Sequence, residues 1–303
     1  MKKVFALFLA TSVLLLTSGC SGQSKEEGNP DVVVTTTFIY DMVQVLSEDV
    51  DAFDTSLIIP AGEDPHIYQP KASDLSLILD ADTLLYQGLN FEGRMADVLE
   101  SGTSITRNFK DATVLEEDEG EADPHFWFDI TLYKKAMNTV CEKLSEDYPE
   151  YKDTFARNKE SYFESLDELN DYVEKRIEEI PKSSRLVITP HDAFNYLAAN
   201  YDLEVHAPQG ISTDAEVSNN TIEATADLIM ENNIKAVFVE TTTNPDRMQR
   251  LEEIIHSRGG AVEVVVTNEE ALLSDSLAEP GREGDTYISM FKHNIDTITD
   301  HLK

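Results

Sequence analysis

Between Pro149 and Pro181 the chain has neither glycine nor proline, and Phe155, Tyr162, Phe163, Leu166, Leu169, Val173, Ile177 and Ile180 recur every three to four residues among charged ones. That period is the apolar face of an α-helix. About 30 residues at 1.5 Å each make a rod of roughly 45 Å, longer than one small lobe can use. The stretch therefore predicts one helix over residues 151–181 running along or between two lobes, and the rest of the chain has to be arranged around it.

The flanks agree. At 303 residues, 41% hydrophobic and 27% charged, the chain has an ordinary globular composition, enough for two compact units of about 100–150 residues. On the N-terminal side Asp31 to Ile39, Thr55 to Pro60 and Thr83 to Tyr86 read as short buried strands, and Tyr40 to Leu46 has helical spacing. On the C-terminal side Arg185 to Thr189, Ile234 to Glu240 and Ala261 to Thr267 are strand-like, separated by amphipathic segments such as Ile222 to Asn232. Alternation of this kind is the signature of α/β folds with parallel sheets. The expected organisation is an N-terminal α/β lobe over 31–150, a linking helix over 151–181 and a C-terminal α/β lobe over 182–303.

The first residues belong to a different class. Lys2 and Lys3 precede an apolar run from Val4 to Leu16, too short for the roughly 20 residues of a membrane-spanning helix and suited to a secretion signal over 1–19. It ends in Leu16-Thr17-Ser18-Gly19-Cys20, which resembles the bacterial lipobox, so Cys20 is the expected lipidation site and first mature residue. Residues 20–30 follow as a polar, flexible tether. Lipidation of Cys20 leaves only Cys141, hence no internal disulfide; Cys141 falls in a helical pattern and reads as a buried, unreactive thiol. The expected location is extracytoplasmic, anchored to the cell membrane. A formal net charge of −34 argues against nucleic acid or an anionic lipid surface as a partner.

Asp-Pro-His occurs twice, at Asp64-Pro65-His66 and Asp123-Pro124-His125. Proline fixes its own φ and restricts the residue before it, so each imidazole projects from a stiff loop and loses little freedom on meeting an ion. His191 directly follows the Arg185–Thr189 strand, and Asp275 follows the Ala261–Thr267 strand, both at the carboxyl ends where an α/β sheet keeps its ligand crevice. Three imidazoles and one carboxylate suit a borderline divalent ion such as zinc, manganese or iron. The gaps of 59, 66 and 84 residues between these positions carry no local geometric code of the zinc-finger kind.

Taken together, the lipobox, Gly62-Glu63-Asp64-Pro65-His66-Ile67-Tyr68, Asp123-Pro124-His125-Phe126-Trp127-Phe128-Asp129, His191-Asp192-Ala193-Phe194-Asn195-Tyr196, Gln209-Gly210-Ile211-Ser212-Thr213 and Ser274-Asp275-Ser276-Leu277 resemble the cluster A-I metal-binding lipoproteins of manganese/zinc ABC importers. The resemblance implies two lobes joined by one rigid helix and a single ion, zinc or manganese, held as cargo by His66, His125, His191 and Asp275. It also implies a membrane permease with its ATPase as partners, and a monomeric binding protein rather than an enzyme. Histidine at the third ligand position leans away from strict manganese specificity, while the acidic stretch Glu116 to Ala122 lacks the histidines of zinc-dedicated relatives.

Glu240, Asp64, Asp123 and Asp192 are candidates to accept hydrogen bonds behind the ligand imidazoles. Trp127 reads as a packing anchor. His206, His256, His293 and His301 lie outside the motifs, and solvated faces account for them. A secreted zinc hydrolase is the main rival, but the chain has no His-Glu-x-x-His or Gly-x-Ser-x-Gly motif; a surface adhesin is the other alternative.

Overall fold

The computed structural model describes residues 31–109, 114–115, 120, 122–267 and 269–303. The signal segment, Cys20 and the tether lie outside them, as does most of the acidic stretch 116–122. Among the described residues no helix is long and apolar enough to cross a membrane.

The N-terminal half is built on a four-stranded parallel sheet in the order β2-β1-β3-β4, with β1 Asp31–Val34, β2 Asp54–Leu57, β3 Thr83–Tyr86 and β4 Thr103–Ser104. Val32, Val33 and Val34 are fully buried, as the continuous apolar run demands. The run ends sooner than its β-branched composition suggests. The Thr36 side chain accepts the Ile39 N–H and caps helix α1, Thr37–Leu46, so Thr37 to Ile39 are helical rather than extended; capping chemistry outweighs β-propensity here. Helices α2 Ala72–Asp80, α3 Ala96–Leu99 and α4 Ile130–Asp147 complete this half. The Asp129 side chain caps α4 by accepting from Thr131 and Leu132.

Beyond the long helix, β5 Leu186–Ile188 pairs in parallel with β6 Glu204–His206, and β7 Ala236–Phe238 with β8 Glu263–Val265. Each pair is extended by one parallel bridge, His191 to Gln209 and Glu240 to Leu272. Helices α6 Asn195–Tyr201, α7 Asn219–Asn232, α8 Asp246–Ser257 and α9 Tyr287–Leu302 cover them. β4 and β6 escape a sequence reading because Thr103-Ser104 and Glu204-Val205-His206 lack the apolar run that marks β5, β7 and β8.

The long helix is α5, Lys152–Glu178, 27 residues and thus about 40 Å. It turns Phe155, Leu166, Leu169, Val173 and Ile177 inward and is bound to both halves. Asn158 donates from one amide to the carbonyls of Leu46 and Glu48 at the end of α1, 3.0 Å each. On the other side Arg176 donates to Asp296 and Asp300 of α9 at 2.7 and 2.9 Å, and Tyr172 to Asp296 at 2.6 Å. One hydrophobic cluster runs through residues of the four-stranded sheet, both strand pairs, α4, α5 and α9. The lobes are therefore braced by a shared core, not merely tethered by a linker. Trp127 contributes to that brace: it is fully buried, stacks on Phe38 at 4.6 Å and donates its indole N–H to the Ser274 carbonyl at 2.9 Å. Cys141 is a free, buried thiol whose pKa is pushed up by burial.

His293 corrects the expectation of a solvated face. It is only 8% exposed, and its Nε2 lies 3.0 Å from the Ala271 carbonyl. The charged neighbours in sequence mark the outer side of α9, while His293 itself looks inward. His206 is half-buried on β6, with Nε2 3.0 Å from the Thr225 hydroxyl. His301 is half-buried between Glu263 and Glu270, and His256 is exposed.

Candidate metal centre

His66 lies in the β2–α2 loop, His125 just before the turn Phe126–Phe128 that leads into α4, His191 three residues after β5 and Asp275 in the segment after β8. Two come from each side of the sheet-to-sheet cleft, and the fold carries all four to one point. Their donor atoms lie within 4.8 Å of one another and all four residues are buried. His191 Nε2 is 3.2 Å from Asp275 Oδ2, His125 Nε2 is 3.3 Å from Asp275 Oδ1, and His66 Nε2 is 3.4 Å from His125 Nε2 and 4.0 Å from Asp275 Oδ2. A tetrahedron with ligand bonds of about 2.05 Å has edges of about 3.3 Å. Three of these separations, 3.2, 3.3 and 3.4 Å, have that length, and the donor chemistry fits zinc or manganese. Two further facts point to an ion: His191 Nε2 and Asp275 Oδ1 are buried without an aligned hydrogen bond among the described residues, a costly state for polar atoms unless something else satisfies them.

The imidazoles are held unequally. Asp123 Oδ1 lies 2.7 Å from His125 Nδ1, and Glu240 Oε2 accepts from His191 Nδ1. Each contact sets the tautomer that leaves Nε2 free to face the centre. Glu240 is itself fixed by the Ser274 hydroxyl at 2.9 Å. Asp123 is fixed from the opposite lobe, with Asn195 donating to its carboxylate at 3.3 Å and Tyr196 to its carbonyl at 2.9 Å. Asp64 does not touch an imidazole. Its carboxylate accepts the His66 backbone N–H at 3.0 Å and the Thr213 hydroxyl of the other lobe at 2.6 Å; burial and the Asp275 charge push it up to about 6. Asp192 does not bond the His191 ring either, and engages through its backbone N–H, which donates to the Gly210 carbonyl at 3.4 Å. Phe91, unmarked in the sequence, sets its ring edge-on to His66 at 4.9 Å and tilted against Trp127 at 5.0 Å. The one signal for it is the Gly88-Leu89-Asn90 turn just before it, all three residues at positive φ.

Charge follows the same arrangement. Burial pulls the His66 pKa down to about 3. For His125 burial acts the same way, but the Asp123 and Asp275 charges outweigh it and raise the value to about 9. His191 is raised by Asp275 and Glu240 against burial, and Asp275 is held well below the usual carboxylate range by His191 and His125 despite its burial. Asp275 thus keeps its charge while His125 and His191 favour holding a proton and His66 does not, and a divalent ion would displace those protons.

Two parallel-sheet lobes clamped by one helix around a buried group of imidazoles and a carboxylate define a solute-binding protein for a metal ion. The chain belongs to the family of the zinc-uptake complex component A, periplasmic, whose profile matches residues 32–301. It is 36% identical over 256 residues to the manganese-binding lipoprotein MntA of Bacillus subtilis, covering 82% of each chain. It is 31% identical over 288 residues to the zinc-binding protein TroA of Treponema pallidum, covering 93% of this chain and 92% of that one. A solved TroA structure, 49% identical, superposes with a TM-score of 0.87 over 91% of this chain and 100% of its own. By this membership the chain is an extracytoplasmic metal-binding component of an ABC importer and not an enzyme, and the hydrolase reading falls away.

Proposed function

We propose that the chain captures one divalent transition-metal ion with His66, His125, His191 and Asp275 and delivers it to a membrane permease driven by an ATPase. The convergence of four buried donor atoms within 4.8 Å supports this reading above all else. Asp123 and Glu240 act behind His125 and His191 as acceptors that orient the rings. Because nitrogen donors dominate, zinc binds more tightly than manganese, and the ion carried in the cell follows from availability. The working units are a lobe over 31–150, the linking helix over 151–181 and a lobe over 182–303. All four donors come from one chain, which accords with a monomer. Cys20, lipidated after removal of residues 1–19, anchors it to the membrane through the 20–30 tether.

The test is elemental analysis and zinc titration of the mature protein stripped with chelator, beside His66→Ala and Asp275→Ala. One ion per wild-type chain and a loss of at least a hundredfold in affinity in each variant is expected. Full retention of metal by both variants refutes the ligand set.

A further inference from the structure

Of the four ligands, His66 alone lines an open cavity of about 650 Å³. It is also 6% exposed where His125 and His191 are 0%, and among the described residues no carboxylate holds its ring from behind. Its side of the cluster is therefore the one an ion can reach. The cavity wall comes from both lobes: Leu89, Asn90 and Arg94 on one side, Ile211, Ser212 and Asp214 on the other.

The second wall is the loop 209–215, and it is built as a stiff flap. The Gln209 amide donates to the carbonyls of Thr213 at 2.8 Å and Ala215 at 2.6 Å, closing the loop on itself, and Arg247 donates to the Gln209 side-chain oxygen. Its base rides on the His191 segment through the His191–Gln209 bridge and the Asp192–Gly210 hydrogen bond. Its tip crosses to the other lobe twice, by Thr213 to Asp64 at 2.6 Å and by Asp214 to Arg94 at 2.5 Å.

Resting on the four-ligand reading above, we propose that the loop 209–215 is the gate through which the ion reaches and leaves His66, latched by the Thr213–Asp64 hydrogen bond. Asp64 is suited to this because the same carboxylate also holds the His66 backbone N–H, so the flap and the ligand loop are tied at one residue. The two crossings are not equal. The Arg94 and Asp214 side chains are 40% and 59% exposed, and an ion pair in water contributes little. The partly buried hydroxyl-to-carboxylate bond is charge-assisted and contributes more. Thr213 is a positioning residue: it touches no ion and acts by keeping the flap down.

A gate must open for entry and for exit, so weakening its latch speeds both without altering the ligands. The experiment is stopped-flow zinc binding to the mature protein at pH 7.5, with release followed by a fluorescent chelator, for wild type, Thr213→Val, Thr213→Ser and Arg94→Ala. Thr213→Val is expected to raise both association and dissociation rates about tenfold while leaving Kd within threefold. Thr213→Ser, which keeps the hydroxyl, restores wild-type rates, and Arg94→Ala changes them less than threefold. Unchanged rates in Thr213→Val overturn the gate, and so does a weaker Kd with association unchanged, which marks a contact that only supports the bound state. Failure of wild type to bind zinc at one per chain refutes the ligand reading instead, so the two failures are distinct.

Discussion

Asp41 offers a test of how the lobes are joined. It sits on α1, and its Oδ2 accepts the Tyr287 N–H at 3.2 Å and lies 3.4 Å from the Tyr162 hydroxyl. Tyr287 is the first residue of α9 and Tyr162 belongs to α5, so one carboxylate touches the first lobe, the linking helix and the second lobe. Burial raises its pKa from 3.8 to about 6, the two hydrogen bonds oppose the rise, and the Asp285 charge adds to it. A carboxyl whose folded pKa exceeds the unfolded one binds its proton more tightly when folded. The penalty for its charge is thus absent below about 3.8 and complete above about 6. A shift of roughly two units is worth about 3 kcal/mol. Asp41→Asn keeps an acceptor for the Tyr287 N–H and removes the charge. The variant is expected to be more stable than wild type by about 2–3 kcal/mol at pH 7.5, or about 6 °C in Tm, and by only about 1 kcal/mol at pH 4.5. The measurement is thermal unfolding of both proteins with chelator present at the two pH values. An equal difference at both, or a loss of stability at pH 7.5, would refute desolvation as the dominant effect.

Two further outcomes follow from the centre. Glu240→Gln, which removes the charge behind His191 while keeping the side-chain shape, should weaken zinc binding about 10–100-fold; competition against a chelator of known affinity measures it, and an unchanged Kd denies Glu240 any part in tuning the ligand. Because His125 is raised to about 9 and His191 is raised as well, both have to give up a proton when an ion binds, so affinity should climb by tenfold or more per pH unit up to about 9. Isothermal titration in buffers of different ionisation enthalpy would show the released protons, and affinity flat between pH 7 and 9 would contradict it.

Much of this molecule was legible because certain residues declare their geometry locally. A stretch of 31 residues without glycine or proline between Pro149 and Pro181 leaves a helix as its only regular use, and the two Asp-Pro-His loops are stiff wherever they are placed. Strand ends place His191 and Asp275 near a crevice, while their use together with His66 and His125 rests on the family resemblance. The sequence is silent about which groups meet across the fold. Glu240 stands 49 residues from His191, Tyr196 stands 73 from Asp123, and Thr213 stands 149 from Asp64; no period links them, since the first pairing is set by how two strand ends meet within the C-terminal half and the other two by how the halves meet. The four acidic neighbours show the difference. Asp64, Asp123, Asp192 and Glu240 look alike as carboxylates close to ligands or strand ends, yet only Asp123 and Glu240 reach an imidazole. Adjacency in sequence fixes the backbone distance and leaves the side-chain direction open. In Asp64 that freedom sends one carboxylate oxygen to the Thr213 hydroxyl of the opposite lobe while the other accepts the His66 backbone N–H, so an acidic residue next to a ligand ties two loops together without touching the ligand's ring.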